Sequence, residues 1–305
     1  MFEGEDGREE ATDGQNQDDP SSDKSDHITE KGKYGRSFPE APLFARIATV
    51  VAGPIFNFIL AFFLSLFIVG SIGTDLPVVG DVTEGGGAEA AGLMSGDLIT
   101  KINQHKIHLF REISLEAMLA DGSSMNVTYE RNGKEYRTVL TPVYSQDAGR
   151  YYLGITMTGG YTRLSPPKVI VYSGYEVKYW IDTTIKSLGM LLSGKAGVKD
   201  LSGPVGMADA VGDIYTESKS DGAFYVWLNM LNFAILLSAN LGVLNLIPFP
   251  ALDGGRLFIY LIELVRRKPL PAEKEGIINF VGFALLMLLM VVVLYNDIAR
   301  IVTGR

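Results

Sequence analysis

Asp253 is the first charged residue after an uncharged run from Gly222 to Leu252. An aspartate tied to a membrane segment costs on the order of 3 kcal/mol on insertion scales, which makes it a functional candidate by default. Pro248 and Pro250 each remove a backbone donor and resist continuation of a helix, so the chain should open near Asp253. Gly254 and Gly255 then allow close approach of backbone or a metal. The competing reading ends the helix near Leu246 and places Asp253 in the headgroup region, where its carboxylate caps a short helix starting near Gly254. Upstream, Asn229, Asn232, Asn240 and Asn245 make this apolar stretch unusually polar, so several should face a protein interior. Other metal-ligating chemistry is scarce. There is no cysteine, and His27, His105 and His108 are the whole imidazole supply. His105 and His108 fall in or beside the turn after Asn103 and read as solvated loop residues.

The elements that must position these residues follow from composition. The chain has 305 residues, 47% of them apolar, and a mean hydropathy of +0.17, too apolar for an ordinary soluble domain. Three spans account for the excess. Ile47 to Gly73 carries no charge and, at 1.5 Å per residue, is long enough to cross a bilayer. Phe224 to Leu246 is the second, and Ile277 to Tyr295, apolar all round, reads as a lipid-embedded anchor. Residues 1–45 are acidic and polar, read as largely disordered, with no cleavable signal peptide. They contribute much of the net charge of −8, which gives no sign of nucleic-acid binding.

Between the first two spans the pattern changes. Residues 75–160 read as a β-rich α+β unit with strands near Val78–Val82, Met125–Arg131 and Glu135–Thr141, the last two flanking the hairpin signal Asn132-Gly133. Residues 161–222 form linker helices. Pro166-Pro167 opens one in which Val177, Ile181, Ile185, Leu188 and Leu192 recur at helical spacing. That helix suits either the membrane surface or the core of the soluble part. Residues 223–268 hold the second span and a short helix with Leu257, Tyr260, Leu261 and Leu264 on its apolar face, and residues 269–305 the last span. Lys31, Lys33, Arg36 and Arg46 before the first span, and Arg266, Arg267 and Lys268 before the last, put both loops in the cytoplasm, with the α+β unit outside.

Asn-Leu-Ile-Pro-Phe-Pro-Ala-Leu-Asp-Gly-Gly, from Asn245 to Gly255, closely resembles the C-terminal motif of the bacterial site-2 protease family, the RseP-like intramembrane zinc metalloproteases. Gly53-Pro54-Ile55-Phe56-Asn57 resembles that family's Gly-Pro-x-x-Asn motif. Gly92, Leu93, Gly96 and Asp97 open a stretch to Asn103 that resembles the bacterial PDZ signature, and Leu201 to Gly206 resembles a further family segment. The resemblance covers nearly the whole chain, and on it Met1 would be an internal methionine read as a start. It implies a multi-pass protein of the bacterial plasma membrane with an extracytoplasmic PDZ domain that acts as a size filter or binds peptides by strand addition. It implies zinc, with Asp253 as the third ligand, Asn240 or Asn245 near the substrate backbone, and Asn57, Pro248, Gly254 and Gly255 packing the site. The implied activity is regulated intramembrane proteolysis of a transmembrane substrate such as an anti-sigma factor or a signal-peptide remnant.

Such a site needs about three protein ligands, an open position for water and a general base. The family takes two histidines and a glutamate from His-Glu-x-x-His on one helix face. This sequence contains no such motif. His27-Ile28-Thr29-Glu30-Lys31 lacks the second histidine and lies in a polar segment. The zinc site is therefore expected to be incomplete and the isolated chain inactive. The alternative is a catalytically dead membrane protein that binds peptides through its PDZ domain. A small transporter is disfavoured, because no repeat or paired broken helix is present.

Overall fold

The computed structural model describes residues 41–145, 150–197, 199, 201–268 and 270–303. The polar segment read as disordered, His27 included, lies almost wholly outside the described residues. Helix α1 (Leu43–Ile72) contains Pro54. It is followed by β1 (Val79–Val82), α2 (Gly87–Ala90), β2 (Leu98–Ile102), β3 (His105–Lys106), α3 (Phe110–Ala120), β4 (Met125–Arg131), β5 (Lys134–Leu140), β6 (Val143–Ser145), β7 (Arg150–Tyr152) and β8 (Ile155–Met157). Helices α4 (Pro166–Leu192), α5 (Pro204–Ser218), α6 (Ala223–Leu244), α7 (Asp253–Arg266) and α8 (Ala272–Thr303) complete the chain. Among the described residues, three helices are long and apolar enough to cross a membrane: α1, α6 and the Glu273–Thr303 part of α8.

The α/β unit is held by one antiparallel sheet in the order β3-β2-β4-β5 and by a β1-β8 pair. Val79, Ile99, Ile102, Ile113, Met125, Val127 and Leu140 fill its core. Asn132 and Gly133 turn the β4-β5 hairpin with φ of 53° and 73°, the left-handed region that Asn and Gly tolerate best. The Gly92-to-Asp97 segment is fixed by charge. Buried Asp97 takes Nε and Nη2 of Arg131 at 2.6 and 2.7 Å and the Met94 N–H at 2.8 Å, while Arg131 also donates to the Gly92 carbonyl.

Helix α4 has two occupied faces. On one, Val177, Trp180 and Ile181 pack with Ala61 of α1 and Ile235 of α6. On the other, Glu176 meets Arg111 of α3 at 3.1 Å and Lys186 meets Glu116 at 2.5 Å. His108 stacks on Tyr175 with ring centroids 3.7 Å apart, and His105 begins β3 with its Nδ1 3.3 Å from Glu116. The reading of His108 as a solvated loop residue is therefore corrected, since an aromatic partner 67 positions downstream half-buries it. Arg111 also holds Asp75, just beyond α1, through Nε at 3.0 Å and Nη2 at 2.9 Å.

The last helix is more than a lipid anchor. Asp297 is fully buried and accepts the N–H groups of Gly203 at 3.0 Å and Gly206 at 2.8 Å, with Arg300 at 3.1 Å. A methyl group on Gly203 would lie 2.7 Å from Val293, and one on Gly206 would lie 2.7 Å from Arg300. These glycines let α8 cap the start of α5. On α7, Ile259, Tyr260 and Glu263 are buried while Leu261 and Leu264 of the apolar face are exposed. Gly254 and Gly255 in its first turn pack against the backbone of Leu246 to Pro250.

Between α6 and α7 the backbone breaks without leaving donors stranded. The N–H groups of Leu246, Ile247, Phe249 and Leu252 reach the carbonyls of Val243, Leu244, Ile247 and Phe249. Ala251, at φ 75°, donates to Asn279 Oδ1 of α8 at 3.4 Å. Pro248 and Pro250 have no N–H to satisfy. A methyl on Gly254 would fall 2.1 Å from the Ile247 carbonyl oxygen, one on Gly255 2.3 Å from that of Phe249, and one on Gly282 2.4 Å from Pro250.

Two outcomes follow. Gly254→Ala forces backbone against backbone and should lower stability by more than about 2 kcal/mol. Gly53→Ala, whose methyl meets only a side-chain oxygen at 3.3 Å, should cost far less; equal thermal midpoints for the two variants would contradict this packing. The second concerns Glu176, whose carboxyl is pushed up to about 7 by burial, against the pull of Arg111 and with Asp75 and Glu112 adding to the rise. Its value in the fold lies above its ordinary 4.5. The stability from burying the neutral form is therefore whole below pH 4.5 and lost as pH rises through 7, roughly 3 kcal/mol in all. Thermal unfolding between pH 4.5 and 8 should show this loss in the native chain and much less in Glu176→Gln; parallel profiles would exclude Glu176 as the source.

Candidate functional site

Asp253 is the first residue of α7, preceded by Leu252 as the N-cap. Its carboxylate caps nothing: it is half-buried, with no hydrogen bond or ion pair among the described residues, which removes the capping role as the reason for an acid here. What it faces is α1. The Asp253 Oδ2 atom lies 3.3 Å from where a Cβ on Gly53 would stand. The two motifs singled out in the sequence, 200 positions apart, are thus in contact, and Gly53 is the residue that leaves room for the carboxylate.

Close approach of α1 and α6 supports that contact. Ser238 Oγ donates to the Asn57 carbonyl at 2.8 Å, and the Phe58 ring sits where a Gly242 side chain would be, 2.5 Å from its Cβ position. Ser238 and Gly242, four apart on α6, are a small-xxx-small pair of the kind that lets apolar helices touch. Sequence reading passed over them, although their spacing was the available signal. It also passed over Thr184 of α4, which donates to Asn240 Oδ1, and Asn279 of α8, which supports Ala251.

The remaining candidates divide clearly. Asn57 lies one turn beyond Gly53, half-buried, with its backbone engaged by Ser238. Asn240 is tied to α4, and Asn245 is the half-buried C-cap of α6. Pro248, Gly254 and Gly255 shape the break that carries Asp253. Gly92, Leu93, Gly96 and Asp97 lie in the α/β unit, where Leu93 and Asp97 are buried and serve its internal packing. Asn229 donates to Ser218, and Asn232 lines a small space with Arg111 and Glu176.

Among the described residues no three His, Cys, Asp or Glu side chains come together as a metal site. Asp253 fits one oxygen ligand, since its carboxylate is unpaired and walled by α1. His105 and His108 do not complete a set, being engaged with Glu116, Glu112 and Tyr175 in the α/β unit. A different opening, about 670 Å³, lies between α3 and β7-β8 and is lined by Ile113, Ala117, Tyr151, Leu153 and Ile155, with Tyr179 of α4 at its border. Among the described residues β8 pairs only with β1, so its other edge remains open.

Residues 5–289 match the model of peptidase family M50. The chain is 37% identical over 271 residues to the zinc metalloprotease RasP of Geobacillus kaustophilus, a match covering 88% of this chain and 62% of that protein. It is 34% identical over 270 residues to the regulator of sigma-W protease RasP of Bacillus subtilis, with the same coverage of 88% and 62%. A putative zinc metalloprotease of Clostridium acetobutylicum is 35% identical over 266 residues, covering 86% and 75%. The chain thus spans 62% of the length of the RasP proteins it matches. Among solved structures, the PDZ domain of an SdrC-like protein of Listeria monocytogenes is similar at 22% identity, a TM-score of 0.25, and coverage of 27% of this chain and 85% of that one. With the family match running through both the Gly53 and the Asp253 motifs, this chain belongs to peptidase family M50.

Proposed function

We propose that this chain is the C-terminal portion of a site-2-type zinc metalloprotease that cleaves transmembrane helices within the bacterial plasma membrane. The observation that carries this is the unpaired carboxylate of Asp253, delivered by a broken helix to Gly53 of a second apolar helix. In the first turn of α7 this acid complements the helix dipole without a hydrogen-bond partner, and a metal is the ligand its environment suits. In this reading Asp253 supplies one ligand, and the other two, with the general base, come from a His-Glu-x-x-His helix that the present sequence does not contain. Asp253 would hold zinc together with those ligands, and the bound metal would supply Lewis-acid activation of water and of the scissile carbonyl.

The chain's own residues do the rest. The proline break leaves an interhelical site rather than a continuous helix face. Asn57, Asn240 and Asn245 offer amides to a substrate backbone that has lost its own helical bonds. Asn240 accepts from Thr184 through Oδ1, which orients the side chain and leaves its NH2 group to donate to a substrate carbonyl. The proposed topology is multi-pass with residues 75–160 as an extracytoplasmic PDZ domain, the basic residues before α1 and α8 remaining inside. Substrates in this reading are membrane proteins already trimmed outside, such as an anti-sigma factor or a signal-peptide remnant, and the chain alone does not hydrolyse them.

A second reading, peptide binding without catalysis, is favoured by the open β8 edge beside α3. Zinc content separates the two. The chain co-expressed with a membrane helix carrying His-Glu-x-x-His should retain stoichiometric zinc, and Asp253→Asn should lose it. Equal, stoichiometric zinc in both would remove Asp253 from the metal and leave the peptide-binding reading.

A further inference from the structure

Beside the Pro248–Pro250 break, α7 and α8 line a groove of about 340 Å³ that does not include Asp253 or Gly53. Phe258, Ile259 and Ile262 of α7, Leu270 of the turn and Ile278 of α8 form its apolar wall, and Arg266 and Lys268 stand at one end. Phe258, Ile262 and Arg266 are successive i, i+4 positions, so one stripe of α7 runs from aromatic to aliphatic to cationic over about 12 Å. Phe258 is 52% exposed, and Arg266 and Lys268 are exposed. Arg267, left-handed at φ 54°, adds a third cation to the same turn. The one acid in the wall is Glu263, buried, whose Oε1 accepts the Leu270 N–H at 2.7 Å and so closes the turn between the helices. Glu273 and Glu275 at the start of α8 are outside the groove lining.

We propose that this groove binds an anionic phospholipid, with an acyl chain along Phe258, Ile262 and Ile278 and the phosphate on Arg266 and Lys268. The argument is charge complementarity joined to shape. The groove lies beside the start of an apolar helix long enough to cross a membrane, grades from apolar to cationic along one stripe, and carries its charge where a headgroup would sit. The lipid has a further consequence. Pro248, Pro250 and Gly255 form the back of the groove, so an occupant supports the same backbone break that presents Asp253 to α1. This holds whatever the catalytic competence of the chain.

The test uses the full chain reconstituted in nanodiscs of phosphatidylcholine alone or with phosphatidylglycerol, with retained lipid read by native mass spectrometry after mild release and stability read as the thermal midpoint. The native chain should retain phosphatidylglycerol over phosphatidylcholine and melt higher in its presence. Arg266→Gln and Lys268→Gln should each reduce that preference roughly fivefold. Ile262→Trp, which fills the apolar part, should reduce retention of both lipids while leaving helicity unchanged. Equal retention of the two lipids by the native chain would overturn the proposal. So would an undiminished preference in the Arg266→Gln/Lys268→Gln double variant, or full lipid retention by folded Ile262→Trp.

Discussion

A helix that breaks among apolar neighbours must still account for every backbone donor, because water is not at hand to take them. The Leu246–Leu252 segment meets this requirement in three ways at once. Two residues are prolines and have no donor, four N–H groups fold back onto carbonyls within the segment or the end of α6, and the last reaches across to Asn279 of α8. The segment is then compressed against Gly254, Gly255 and Gly282, each of which has no room for a side chain. The product of this arrangement is one half-buried carboxylate without a partner among the described residues. Asp253 begins α7 already turned toward α1, and Gly53 is the residue that lets it come close.

The α/β unit is tied to the same helices through polar contacts rather than through an apolar seam. Arg111 bridges Asp75 at the end of α1 and Glu176 of α4, Lys186 adds Glu116, and Thr184 on the opposite face of α4 reaches Asn240. A chain of direct contacts therefore runs from the soluble unit to the asparagine of α6, three residues before the buried Val243. Asp297 makes an equivalent tie at the other end of α6's neighbours, capping α5 from α8. A buried carboxylate that collects backbone N–H groups replaces the water those groups would otherwise need.

Much of this was legible in residue order. The apolar runs gave α1 and α6 to within a few residues, Asn132-Gly133 gave the β4-β5 hairpin, and Pro166-Pro167 with Gly194 bracketed α4, which begins at Pro166 and stops just before a glycine at φ 73°. Asp253 was marked because an isolated acid after a long uncharged run is costly. What could not be read was whatever depends on partners far along the chain. The role of Asp297 depends on Gly203 and Gly206, more than ninety positions upstream, and no local pattern signals it. His108 looked solvated until Tyr175 covered it. Hydrophobic periodicity marked an apolar face on α7, but it does not distinguish a protein neighbour from a lipid-like surrounding, so the burial of Ile259, Tyr260 and Glu263 was not legible. Ser238 and Gly242 carried a spacing signal that the more conspicuous asparagines on the same helix obscured.

Cysteine cross-linking tests the contact between Asp253 and Gly53 most directly, because the chain has no cysteine of its own. With Gly53→Cys and Asp253→Cys in one chain, mild oxidation of isolated membranes should give an intramolecular disulfide, seen as a reducible mobility shift. A pair that stays unlinked while both thiols react with maleimide would show that the break does not bring Asp253 to α1.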